Sequence, residues 1–134
     1  MIPGRAAPLA PIAAALLAGC STMDNVHAGN GWTRAPDLSV YGAMEMYGGI
    51  AREQSILCQG FRIEVVRDRW RDDFGARADA VQAALVARHG AEAVERAGLY
   101  PTRRVACPNI PDMSWRVQYA RLLRLLETRL GLTG

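Results

Sequence analysis

Residues 112–130 contain no glycine or proline, and Trp115, Tyr119, Leu122, Leu123, Leu126 and Leu130 recur through them at i, i+4, i+7, i+8, i+11 and i+15. That spacing puts six large apolar side chains on one face of a single helix. An isolated helix of this length is marginal in water, so the face must be covered by other parts of the chain. Two further segments have the same period. Ile63, Val66, Trp70 and Phe74 form one stripe. Ala43, Tyr47, Ile50, Gln54, Leu57, Cys58 and Phe61 form another, with Gly48-Gly49 inside it. Each Gly costs about 1 kcal/mol against Ala in a helix, unless it lets two helices approach closely. Ala78, Val81 and Leu85 continue the pattern to Gly90, and residues 91–97 form a short helix ended by Gly98. The β-branched cluster Ile63, Val65 and Val66 suits a strand, but its spacing and flanking charges favour helix. The expected fold class is all-α, a small bundle of four to five helices. Gln59-Gly60 breaks the first stripe, Phe74-Gly75 joins two helices with a bend, and Asp112 or Ser114 caps the last helix.

The first twenty residues have a different character. Arg5 is the only charge before Asp24, and residues 6–18 carry no charged or strongly polar side chain. A basic start, a short apolar stretch and small residues at its end have the layout of a secretory signal. The apolar run is shorter than the ~20 residues of a membrane span, and Pro8 and Pro11 interrupt it. It closes on Leu17-Ala18-Gly19-Cys20. These four residues resemble the lipobox of bacterial lipoproteins. The resemblance implies cleavage before Cys20, diacylglycerol on its sulfur and an acylated (palmitate-type) amine. Ser21, where Asp marks inner-membrane retention in proteobacterial lipoproteins, implies an outer membrane lipoprotein facing the periplasm. It covers about twenty residues. The expected organisation is therefore a signal peptide at 1–19, a flexible tether at 20–38 and a helical domain at 39–134. Asn25, Gly29, Asn30, Gly31 and Pro36 punctuate the tether.

With Cys20 given to lipid, Cys58 and Cys107 remain as an even pair in an oxidising compartment, where a disulfide is the default. No C-x-x-C is present to suggest a redox pair. The basic residues are all arginine. Together with abundant alanine, this reads first as the bias of a GC-rich genome and second as selection for bidentate anion contacts. Charge is uneven: residues 20–98 hold nine arginines against eleven acids, whereas residues 99–134 hold six against two. An exported lipoprotein does not meet chromosomal DNA, which removes nucleic acid as a partner.

Residue patterns that would carry catalysis are sparse. Glu64, Asp68 and Asp72 line one side of a helix and read as a solvated face, with Arg67 and Arg71 three residues on for local ion pairs. A hard cation needs oxygen ligands converging from several directions. Glu92 and Glu95 lack the Glu-x-x-His pairs of di-iron bundles. His89 falls at a helix end, where the dipole favours its protonated form, and His27 falls in the tether. No catalytic residue, metal site or cofactor is expected. The best candidate binding surface is Arg103, Arg104, Arg116, Arg121 and Arg124, beside Tyr100 and Trp115, suited to phosphate groups of an anionic glycolipid or to a carboxylate-rich envelope protein. The same arginines can instead pair with Glu64, Asp68 or Glu127 inside the domain. Arg69-Trp70-Arg71 is distinctive but carries no assignable chemistry. The expected role is binding, scaffold or accessory subunit, with an envelope hydrolase or a small apolar-ligand carrier as alternatives.

Overall fold

The computed structural model describes residues 31–99, 105–108 and 113–133, and the described residues contain helices and no strands. The signal peptide, Cys20, His27, Tyr100, Arg103, Arg104 and Asp112 lie outside the described residues. The chain divides into two compact units, with the boundary after Ala35. From the first unit, Gly31–Arg34 is described as a single 3-10 turn.

The second unit is built of helices α1 (Asp37–Leu57), α2 (Ile63–Trp70), α3 (Ala76–His89), α4 (Ala91–Gly98) and α5 (Ser114–Arg129), with a π-helical turn at Arg71–Gly75. Backbone angles stay right-handed helical from Trp70 through Ala76, so α2, the π turn and α3 form one continuous rod. Among the described residues the bundle therefore has four rods. The bend expected at Phe74-Gly75 is this wider turn, not a break. Helix α1 begins at Asp37, inside the stretch read as tether, and six residues before the first member of its expected stripe. Ser114 occupies the first position of α5, and Met113 is the N-cap. Gly60, Gly90 and Gly131 all take positive φ.

Helix α1 packs most extensively on α5 and then on α4. Arg129 donates to Asp37 at 3.1 Å, whereas Tyr47 meets Trp115 near the opposite end of α5, so α1 and α5 run antiparallel. Arg88 at the end of α3 also reaches Asp37, at 4.0 Å. Two arginines from helix C-termini thus converge on a carboxylate in the first turn of α1, where both dipoles favour the pairing. Trp70 lies on Tyr119 and Arg88 lies near Arg129's partner, so the long rod runs the same way as α5.

The core comprises Val40, Met44 and Tyr47 of α1, Val66 and Trp70 of α2, Phe74, Val81, Leu85 and Val94, and Tyr119, Leu122, Leu123, Leu126 and Leu130. The α5 stripe is buried as its spacing dictates, apart from half-buried Trp115. The α1 stripe is buried at Ala43, Tyr47 and Gln54 and departs from the core at its C-terminal end. Leu57 is 68 % exposed and Phe61 42 %. Thirteen residues separate Met44 from Leu57, roughly 220° around an α-helix, so one cannot face the core with the other. Phe61 lies beyond the helix end. Ile63, expected inward, is 61 % exposed because it opens α2 at the unpacked end of the rod.

Cys58 and Cys107 form a disulfide, with Cα atoms 5.3 Å apart. It joins the C-cap of α1 to the connection that leads into α5. Gln54 Nε2 donates to the Ala106 carbonyl at 3.1 Å beside it, so the connection is fixed to α1 twice.

A candidate arginine-lined cleft

At the disulfide end of the bundle, α1, the long rod and the first turn of α5 leave a solvent-open cleft of about 270 Å³. Trp70 forms its floor. Immediately before the π segment, Trp70 packs against Phe74 (4.8 Å between ring centroids) and edge-on to Tyr119 (4.7 Å), and Phe74 meets Tyr119 at 4.9 Å. Three aromatic rings from two rods thus form one rigid block, worth about 0.5–1.5 kcal/mol per pair beyond the area buried.

Guanidinium groups approach this block from two sides. Arg52 of α1 stands over Trp70 at 4.9 Å, and Arg116 of α5 stands over Phe74 at 4.7 Å and Trp70 at 5.7 Å. Arg69 stands over Phe61 at 5.7 Å. Arg52, Arg69 and Arg116 all line the cleft. Their charges are unequally compensated. Arg116 donates to Asp73 at 2.7 Å, but neither Arg52 nor Arg69 makes an ion pair with a described carboxylate. Glu45 is the acid that senses Arg52. Burial raises the Glu45 pKa, and Arg52 partly opposes that rise. Burial, then Glu45 and Tyr119, push the Tyr41 phenol up to about 12.

The opposite wall is apolar and partly exposed: Phe61, Val65 and Met113. Gln54 lines the cleft at 8 % exposure, and its Oε1 has no hydrogen-bond partner. On the other side of Arg52 and Trp70, a second hollow of about 390 Å³ is bounded by Ile56, Ile63 and Arg67.

The surface expected from the sequence is not assembled as one patch by the described residues. Arg116 turns inward to Asp73 and the aromatic block. Arg121 and Arg124 are exposed on another face of α5 and form no ion pair with a described residue. Glu127, one proposed internal partner for them, is held chiefly by Arg77 through two parallel hydrogen bonds, the Nε–Oε2 one at 3.0 Å, and Arg124 adds a weaker electrostatic attraction. The local pairs expected on α2 are also rearranged. Arg67 lies by Asp68 at 3.5 Å, Glu64 by Arg62 at 3.7 Å, and Arg71 binds Asp79 with both nitrogens. The π turn causes this last change: it rotates less per residue than an α-helix, which brings residues 71 and 79 onto one face. His89 is exposed at the end of α3. Among the described residues no group of acids, histidines and cysteines could hold a metal ion, and no helix is long and apolar enough to cross a membrane.

Arg52, Phe61 and Gln54 were invisible as site residues because their roles arise across elements. Arg69-Trp70-Arg71 carried a local signal, and Arg116, expected on a binding surface, does line the cleft. Comparison with family models, with curated proteins and with solved structures finds no match to this chain.

Proposed function

We propose that the chain is an exported lipoprotein, anchored at the outer membrane by acylated Cys20, whose helical domain is a binding module of the cell envelope. Anchoring rests on Leu17-Ala18-Gly19-Cys20 at the end of the apolar N-terminal run. The Cys58–Cys107 bridge supports it, because such a bond persists in an oxidising compartment. Binding rests on one observation: Arg52 and Arg69, neither in an ion pair with a described carboxylate, share an open cleft with an exposed apolar wall. A guanidinium lining favours an anionic ligand over the wholly apolar one of a carrier. It also supplies no activated nucleophile for a hydrolase.

Two measurements test the two halves. Cys20→Ser should abolish acylation and move the protein from the detergent phase to the aqueous phase; unchanged partitioning would contradict the anchor. A photoreactive residue at Val65, on the cleft rim, should give a discrete adduct in intact envelopes. The same residue at Arg124 should not. Equal labelling from both positions would contradict a binding role for the cleft.

A further inference from the structure

We infer that the cleft captures the C-terminal carboxylate of a peptide or protein whose last residue is apolar. This deepens the binding reading of the same cleft and is independent of acylation. Three properties of the cleft require a matching group, and a chain end supplies all three. The first is charge. Arg116 is neutralised by Asp73, and Arg52 and Arg69 are two further guanidiniums on the same small opening with no ion pair to a described carboxylate. Arginine's planar donor fork fits a carboxylate bidentately.

The second is the apolar wall. Phe61, Val65 and Met113 are 42, 36 and 58 % exposed, yet they border the same opening as the charges. A side chain next to a carboxylate would cover them. The third is Gln54. Its Nε2 is committed to the Ala106 carbonyl, which fixes the orientation of the amide, and its Oε1 is left buried without a donor. A buried acceptor without a partner costs about 1–3 kcal/mol. Oε1 is closed to solvent, so the terminal peptide N–H of a bound chain meets it only after a small shift of the Gln54 amide toward the cleft.

Size agrees with this assignment. At about 270 Å³ the cleft is at or below the lower limit of sites for drug-sized ligands, roughly 300–1,000 Å³. A chain end needs only its last residue enclosed. Inorganic phosphate would answer the charge but neither the apolar wall nor Gln54. Recognition of a terminal carboxylate together with the last side chain is a known economy of peptide binding, since one charged group and one pocket define the register.

Calorimetric titration of the full chain tests the inference. The probe is an acetylated tripeptide of two alanines and a terminal leucine, as free acid and as amide. The acid should bind, and amidation should weaken binding about tenfold or more, the effect of losing ~1.4 kcal/mol. Arg52→Gln and Arg69→Gln should each weaken the acid about tenfold, with thermal melts unchanged for exposed Arg69→Gln. Arg121→Gln, away from the cleft, should have no effect. Equal affinity for acid and amide would overturn the inference. So would no binding up to about 10 mM, equal weakening by Arg121→Gln, or phosphate matching the peptide acid. Arg69-dependent binding to phosphatidylglycerol vesicles that the acid cannot displace would assign the cleft to lipid instead. If Val65 labelling persists while the peptide fails, only the ligand assignment falls; if both fail, the binding reading falls with it.

Discussion

At Gly48 the missing side chain is what allows Trp70 and Tyr119 to reach α1. A Cβ there would lie 2.7 Å from Tyr119 Cδ2 and 3.1 Å from Trp70 Cζ2, inside the aromatic block. Gly48→Ala should therefore lose more to overpacking, about 1–3 kcal/mol, than the roughly 1 kcal/mol it gains in helix propensity. Urea unfolding should show a lower midpoint, and an unchanged or raised one would mean that the rings move aside easily. Trp70, 9 % exposed, is the centre of that block. Trp70→Ala should cost about 3–5 kcal/mol. The apolar stripe through Trp70 was legible in the sequence because helical spacing encodes one face. The need for a glycine opposite it was not, since Gly48 meets residues from two distant segments.

At the scale of elements, side-chain pairs fix how the rods sit on one another. Arg77 of α3 holds Glu127 of α5 with both its donors, and this hydrogen-bonded pairing keeps the Glu127 carboxyl below its usual range. An acid whose pKa is lowered by folding contributes stability above its unfolded pKa, and loses it as pH falls through the folded one. Glu127→Gln should thus weaken the fold by about 1 kcal/mol at neutral pH, a modest value because Arg77 is partly solvated. The deficit should stay constant down to about pH 4.5 and shrink below it as the native carboxyl protonates; a deficit that grows in acid would contradict this pairing. Glu45 works in the opposite sense. Its pKa is raised by burial, so its charge costs stability at neutral pH, and that cost is relieved as pH falls through its folded pKa. The two acids differ because Glu127 has a bidentate partner and Glu45 does not. Residue order alone placed Glu127 near Arg124 and gave no sign of Arg77, fifty positions away.

For the whole molecule, the disulfide is the main covalent constraint on how α5 docks. It spans 49 positions, and a loop of that size gives about 4 kcal/mol on the chain-entropy estimate. Reduction, or Cys58→Ser with Cys107→Ser, should lower the unfolding free energy by that order. The arginine-lined cleft should loosen at the same time, because Gln54 is bonded to Ala106, the neighbour of Cys107. Calorimetry of oxidised and reduced protein would measure the first effect, and Val65 labelling the second. A reduced protein with unaltered stability would show that packing of α1 on α5 alone holds this end.

The sequence by itself determined the all-helical class, four to five helices, most helix ends and most of the core. Those properties depend on spacing within short segments: the stripe of α5, Val66 with Trp70 and Phe74, and glycine at the turns. It also indicated the Cys58–Cys107 pair through cysteine arithmetic and the expectation of an oxidising compartment. The tertiary structure decided which arginines share a cleft. Arg52, Arg69 and Arg116 come from three helices and carry no common spacing. Their sequence neighbours could not indicate that Asp73 neutralises Arg116 while the other two form no ion pair with a described carboxylate. Charge pairing acts through space, and only the packed bundle defines those distances.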